Sequence, residues 1–243
     1  MRALKYFLTF LSIFFAGLES SASCNYRDNT GPVNTPLMVS IWQGDKAAVG
    51  RLLSEKSTLN LQFSLCNDGG KALHTTPLIN AVLATDSRVV ADHVGMVEFL
   101  LLHGASPDFS ADGFTPLHMA ACVGNLPVVK MLLRFGASVD PHADGDTPLL
   151  MAVQDGHIEV VQELIAAGAD LNVHDSLGGN LVSIAASQHY QDIVRLLVKL
   201  GVDPCAKDND GNDAIYWADF GGDKRSEREA IIGFLKSKCG RYD

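Results

Sequence analysis

Gly113–Ser138 reads GFTPLHMAACVGNLPVVKMLLRFGAS, and Gly145–Asp170 reads GDTPLLMAVQDGHIEVVQELIAAGAD. The two stretches are versions of one module. Thr115 and Thr147 occupy equivalent positions, as do Leu132 and Leu164, and Gly136 and Gly168. Within the module, a Thr-Pro pair opens a first helix: the hydroxyl caps free backbone N–H groups, and proline is tolerated in the first turn. Leu117, Ala120 and Ala121 give that helix a narrow apolar face that permits close stacking. Val128, Val129, Leu132 and Leu133 give a second helix a wider one. Gly136 stands where that helix needs a left-handed residue to stop.

Working outward, the module recurs every 32 or 33 residues from Thr115 to Thr147, Asn180 and Asp213, with earlier copies at Thr35 and Thr76. The fifth copy replaces Thr-Pro-Leu with Asn180-Leu181-Val182 but keeps Ile193-Val194, Leu196-Leu197 and Gly201; the sixth keeps Asp210-Gly211 and Ala218. A period near 33 carrying T-P-L-H resembles the ankyrin-repeat family. The resemblance covers Pro32 to about Gly240. It implies an all-α solenoid of about six helix-turn-helix repeats joined by short β-hairpin loops, with atypical repeats at the ends. His118, which follows T-P-L, then reads as a structural hydrogen-bonding residue.

Residues 1–22 have the three-part layout of a secretory signal peptide: Arg2 and Lys5, an apolar run from Tyr6 to Leu18, then Ser20-Ser21-Ala22. The apolar run is shorter than the roughly 20 residues of a membrane-spanning helix. Cleavage after Ala22 leaves 23–243 as the repeat domain. An uncleaved anchor is an alternative, and so is a lipoprotein at Cys24, although Ser21 rather than Leu stands three residues before it. Removing Arg2, Lys5 and Glu19 takes the formal charge from -9 to -10. Such a balance disfavours nucleic acid and anionic membranes. The absence of any N-x-S/T sequon favours a bacterial periplasm over a eukaryotic secretory route.

Cys122 reads as a small core residue. In the solenoid that the resemblance implies, the two ends lie far apart, so the remaining cysteines are expected to pair locally, Cys24 with Cys66 and Cys205 with Cys239. Two departures from the pattern stand out. About seven residues are inserted near Thr85 to His93, and the linker Gln62–Thr75 is long; each is either part of a binding surface or an idle loop. The charged run Gly221–Glu229 reads as a solvated turn.

The sequence has no G-x-S-x-G, H-E-x-x-H, P-loop or paired C-x-x-C. His142, His157 and His174, with Asp140, Asp144 and Asp175 nearby, fit repeat loops better than a metal set. Neither cofactor nor metal is expected, and no catalytic residue. The family resemblance places a concave binding face on the hairpin tips and the exposed side of each first helix. Here that maps onto Phe109, Ala111, Asp112, Phe114 and Met119; onto Asp144, Asp146, Met151 and Asp155; onto Ser176, Leu177 and Ile184; and onto Asn209, Asp210, Asn212 and Trp217. Apolar anchors among acids suit a protein partner. The expectation is a periplasmic, monomeric protein that binds one partner in a 1:1 complex and catalyses nothing itself. By resemblance to small periplasmic repeat proteins, it is an immunity protein that inhibits an antibacterial effector of type VI secretion, for example a phospholipase. The alternatives are a scaffold or chaperone-like partner of a periplasmic enzyme, such as an oxidative-stress enzyme, and a secreted effector acting on host proteins.

Overall fold

The computed structural model describes residues 35–53, 59–66, 72–84, 93–143, 145–219 and 225–240. The expected signal peptide, Cys24, Asp144 and residues 85–92 of the Thr85–His93 insertion lie outside them, as does the Cys66 side chain; His93 itself is helical and buried. The described residues contain twelve helices and one two-stranded antiparallel sheet. They fall into two compact units, 1–138 and 139–243.

In the first unit the order is α1 (Pro36–Trp42), α2 (Lys46–Leu52), β1 (Phe63–Cys66), β2 (Ala72–Thr75), α3 (Pro77–Ala84), α4 (His93–Leu102), α5 (Pro116–Cys122) and α6 (Leu126–Arg134). The first helices α1, α3 and α5 pack in sequence, and each packs on its own second helix. The second unit repeats this arrangement. It contains α7 (Pro148–Asp155), α8 (Ile158–Ala166), α9 (Leu181–Ser187), α10 (Gln191–Lys199), α11 (Ala214–Asp219) and α12 (Arg225–Lys238). There α7, α9 and α11 form the inner row.

Each first helix starts at a side-chain cap. Thr35, Thr76, Thr115 and Thr147 accept hydrogen bonds from the backbone N–H three residues on. Asn180 does the same toward Ser183, and Asp213 accepts from Ile215 and Tyr216. The fifth and sixth repeats therefore lose T-P-L but keep its capping chemistry. His118 closes a capping box: its buried Nδ1 accepts from the Thr115 N–H at 3.1 Å. Leu117, Ala120, Ala121, Val128, Val129 and Leu132 are fully buried. Each such leucine contributes about 2–3 kcal/mol by leaving water.

The turn between paired helices needs a left-handed residue. Gly44, Gly124 and Gly156 supply it in repeats one, three and four. In repeat five the residue is His189, at φ 62°, with its Nε2 2.9 Å from the Ala218 carbonyl oxygen of the next repeat. The following residue, Tyr190, lays its ring over Gly156, where an added methyl would fall 2.5 Å from ring carbons.

Cys205 and Cys239 form a disulfide with Cα atoms 5.7 Å apart. It ties α12 to the loop before the last hairpin tip, closing 34 residues and restricting the unfolded chain. Three expectations change. Arg225–Glu229 is the first turn and more of α12 rather than a solvated turn, because Arg and Glu are good helix formers. The linker 62–75 is not a plain loop but carries the β1–β2 hairpin, in register from Phe63↔Thr75 to Cys66↔Ala72. Cys122, at the end of α5, is only partly buried.

Candidate interaction surfaces

The exposed loops between repeats end in short fingers. In repeats three and four each finger is closed by one antiparallel bridge, Ala111↔Phe114 and Ala143↔Asp146. Asp112 and Gly113 both take positive φ at the third tip, the conformation a two-residue hairpin turn needs. The last two fingers keep backbone pairing, with a His174↔Asn180 bridge in the fifth and the Asp208 N–H donating to the Asn212 carbonyl at 2.8 Å in the sixth, and add a side-chain clamp. Asp175 Oδ1 accepts from the N–H groups of Leu177 and Gly179, and Asp208 Oδ1 from those of Asp210 and Asn212. A short polar side chain thus adds to the backbone pairing of these tips.

In the first unit the β1–β2 hairpin is docked on the third finger. The His74 N–H donates to Asp112 Oδ2 at 2.8 Å, and His74 Nδ1 lies 2.6 Å from Asp112 Oδ1. The Gln62 amide donates to the Ser110 carbonyl at 2.8 Å. Asp112, expected to face a partner, is therefore already engaged on both carboxylate oxygens. Phe109 and Phe114 are half-exposed, Phe114 standing edge-on to the His118 ring. Met119 is half-buried against Ile79, Leu83 and Ala111. Ala111 itself is buried.

In the second unit Met151 is 1% exposed and Ile184 6%. Both are core residues and leave the candidate surface. The cause is legible in their helices: Pro148–Val153 and Leu181–Ala186 are apolar on nearly every face and buried throughout. Asp146 and Asp155 are partly exposed, and Asp155 Oδ2 is buried with no hydrogen-bond partner. Ser176, Leu177, Asn209 and Asp210 are exposed at the last two tips, and Asn212 partly so. The tips touch: the Asn209 N–H donates to the Leu177 carbonyl at 2.9 Å.

Trp217 is half-exposed, and its indole N–H donates to Asp208 Oδ2 at 2.8 Å. Burial opposes ionisation of Asp208. Hydrogen bonds from the Asn212 amide, the Trp217 indole, the Asp210 amide and the Asn212 side chain outweigh it, and hold the carboxyl below the ordinary carboxylate range. Tyr216, which the sequence reading passed over, is 46% exposed and packs edge-on against Trp217 at 5.5 Å. The equivalent positions Met38, Ile79, His118, Leu150 and Ser183 are all buried. An aromatic with a polar tip at a core position of the last repeat was the available signal.

Among the described residues no cluster of His, Cys, Asp and Glu is arranged to hold a metal ion, and no helix is long and apolar enough to cross a membrane. What the fold offers is exposed aromatic, apolar and acidic side chains on rigid caps, which suits recognition of another protein. No curated protein matches the chain. The family model described as ankyrin repeats (3 copies) matches residues 78–175 and 151–227. With helix pairs, capped first helices and bridged fingers recurring through a match that spans more than half of its length, the chain belongs to the ankyrin-repeat family, whose members act in protein–protein interaction.

Proposed function

We propose that this protein is an exported, periplasmic binder of a single protein partner, and that it serves as an immunity protein: it binds an antibacterial effector enzyme of type VI secretion, such as a phospholipase, and blocks its active site. The observation that carries the reading is the Cys205–Cys239 disulfide closing the last repeat. Such staples persist in oxidising compartments. With the export signal expected at residues 1–22, it supports a binder that works outside the cytoplasm; that the binder is a monomer in a 1:1 complex is part of the proposal. The step from binder to inhibitor rests on resemblance to small periplasmic repeat proteins.

The test is an affinity capture with the disulfide-bonded protein from lysate and secreted proteins of its own organism, followed by activity assays. Recovery of a toxin whose activity falls to background on mixing supports the immunity reading. Recovery of a resident periplasmic enzyme that remains active overturns it in favour of a scaffold. Deletion of the gene should sensitise cells to a sibling-delivered toxin; unchanged survival sinks the immunity role.

A further inference from the structure

The formal charge is unevenly distributed. Residues 1–138 hold ten acidic and ten basic side chains, whereas residues 139–243 hold eighteen acidic and nine basic. One of those nine cations, Arg195, is stacked on Phe234 of α12, 4.6 Å from the ring centroid. Against this acidic background the last two fingers and α11 present apolar surface. Leu177 is 48% exposed beside Ser176, and Tyr216 and Trp217 form a fixed aromatic pair next to exposed Asp210. The surface is rigid. The Asn209 side chain fills the space over Gly178, where an added methyl would fall 2.5 Å from Asn209 Oδ1, and the indole is tethered to Asp208.

We infer that fingers five and six, with the start of α11, dock a basic polypeptide segment: an arginine or lysine lies on the Tyr216–Trp217 aromatic pair and meets Asp210, while a neighbouring apolar side chain covers Leu177. The inference rests on the protein-binding role and names the chemistry of the partner. Ring faces attract cations, and a carboxylate at the rim adds the charge pairing. A net excess of acids in this unit repels acidic segments, so charge also selects against the wrong partner.

The experiment measures binding of a fluorescein-labelled peptide of alternating arginine and leucine to the intact protein by fluorescence anisotropy, with the glutamate–leucine counterpart as control. The arginine peptide should bind at least about tenfold more tightly than the control and weaken as salt rises. Tyr216→Ala should cost about tenfold. Asp210→Asn should flatten the salt dependence, whereas Leu177→Ser should weaken binding and leave the salt dependence unchanged. Tyr216 and Asp210 are exposed, and thermal melting confirms that the variants fold. Equal affinity for both peptides, or unchanged arginine-peptide binding in Tyr216→Ala and Asp210→Asn, overturns the inference. So does a concentration-dependent dimer abolished by Tyr216→Ala, which would assign the surface to a second copy. A natural partner whose binding survives both substitutions would retain the protein-binding role and sink this surface alone.

Discussion

The two units differ in how they build an exposed face from the same module. In the first, charge is balanced and the novelty is an added element: the β1–β2 hairpin, held to the third finger by His74–Asp112 and Gln62–Ser110. In the second, nothing comparable to the hairpin is seen among the described residues; the change is in charge and in tip closure by Asp175 and Asp208. The contrast separates two uses of aspartate. At a tip closed by backbone pairing alone the carboxylate can reach outward, and Asp112 reaches His74. At a tip where the carboxylate turns inward and clamps backbone that is already paired, recognition falls to the residues it holds in place, Asp210, Leu177 and Trp217.

Position-matched substitutions test this contrast most strongly at the first helices. Met151→Ala should cost about 3 kcal/mol because it empties a filled site, whereas Met119→Ala should cost about 1 kcal/mol at a half-buried one. Urea unfolding measures both, and equal losses would erase the distinction between core and surface at this position. Next in size, Cys205→Ser should lower stability by about 3 kcal/mol relative to the oxidised protein, with no loss when both proteins are compared under reduction.

Acid should affect the units unequally. The lowered pKa of Asp208 means that its ionised form is bound more favourably in the folded state. Its contribution is present above the ordinary carboxylate pKa and is lost as pH falls through the depressed value. Trp217 fluorescence should therefore report loosening of the sixth finger in acid, and Asp208→Asn should weaken the finger at neutral pH and remove that part of the pH response. An unaltered acid profile in Asp208→Asn would refute carboxylate closure. The smallest effect belongs to His74→Ala. The pair is partly exposed, so stability should fall by no more than about 1 kcal/mol. Hydrogen exchange at the hairpin should still quicken; an unchanged rate would mean that Asp112 does not hold it.

Much of this architecture was legible because capping and stacking are local. Thr115-Pro116 announces a helix start, and Asn180 and Asp213 preserve that start after the motif itself is lost. The pairing of Cys205 with Cys239 followed from the expected separation of the two ends. The exposed face was less legible, because exposure depends on neighbouring repeats. Met119, Met151 and Trp217 share one position, yet each meets a different surround. The family pattern points Met151 outward, whereas the apolar run around it marks a helix buried along Pro148–Val153. Arg225–Glu229 shows a related limit: a charged run suggests a solvated turn, yet Arg and Glu also favour helix.

Tyr190 and its neighbour His189 have a consequence for the modularity of the array. Repeat proteins are treated as interchangeable units joined by nearest-neighbour contacts. Here the ring of Tyr190 fits only over a residue without a side chain, which Gly156 provides, and His189 requires the carbonyl of Ala218 ahead of it. Repeat five is thus keyed to both of its neighbours. A second copy of it placed in tandem would set a tyrosine over His189 instead of glycine, so the array cannot be lengthened at this point by simple duplication.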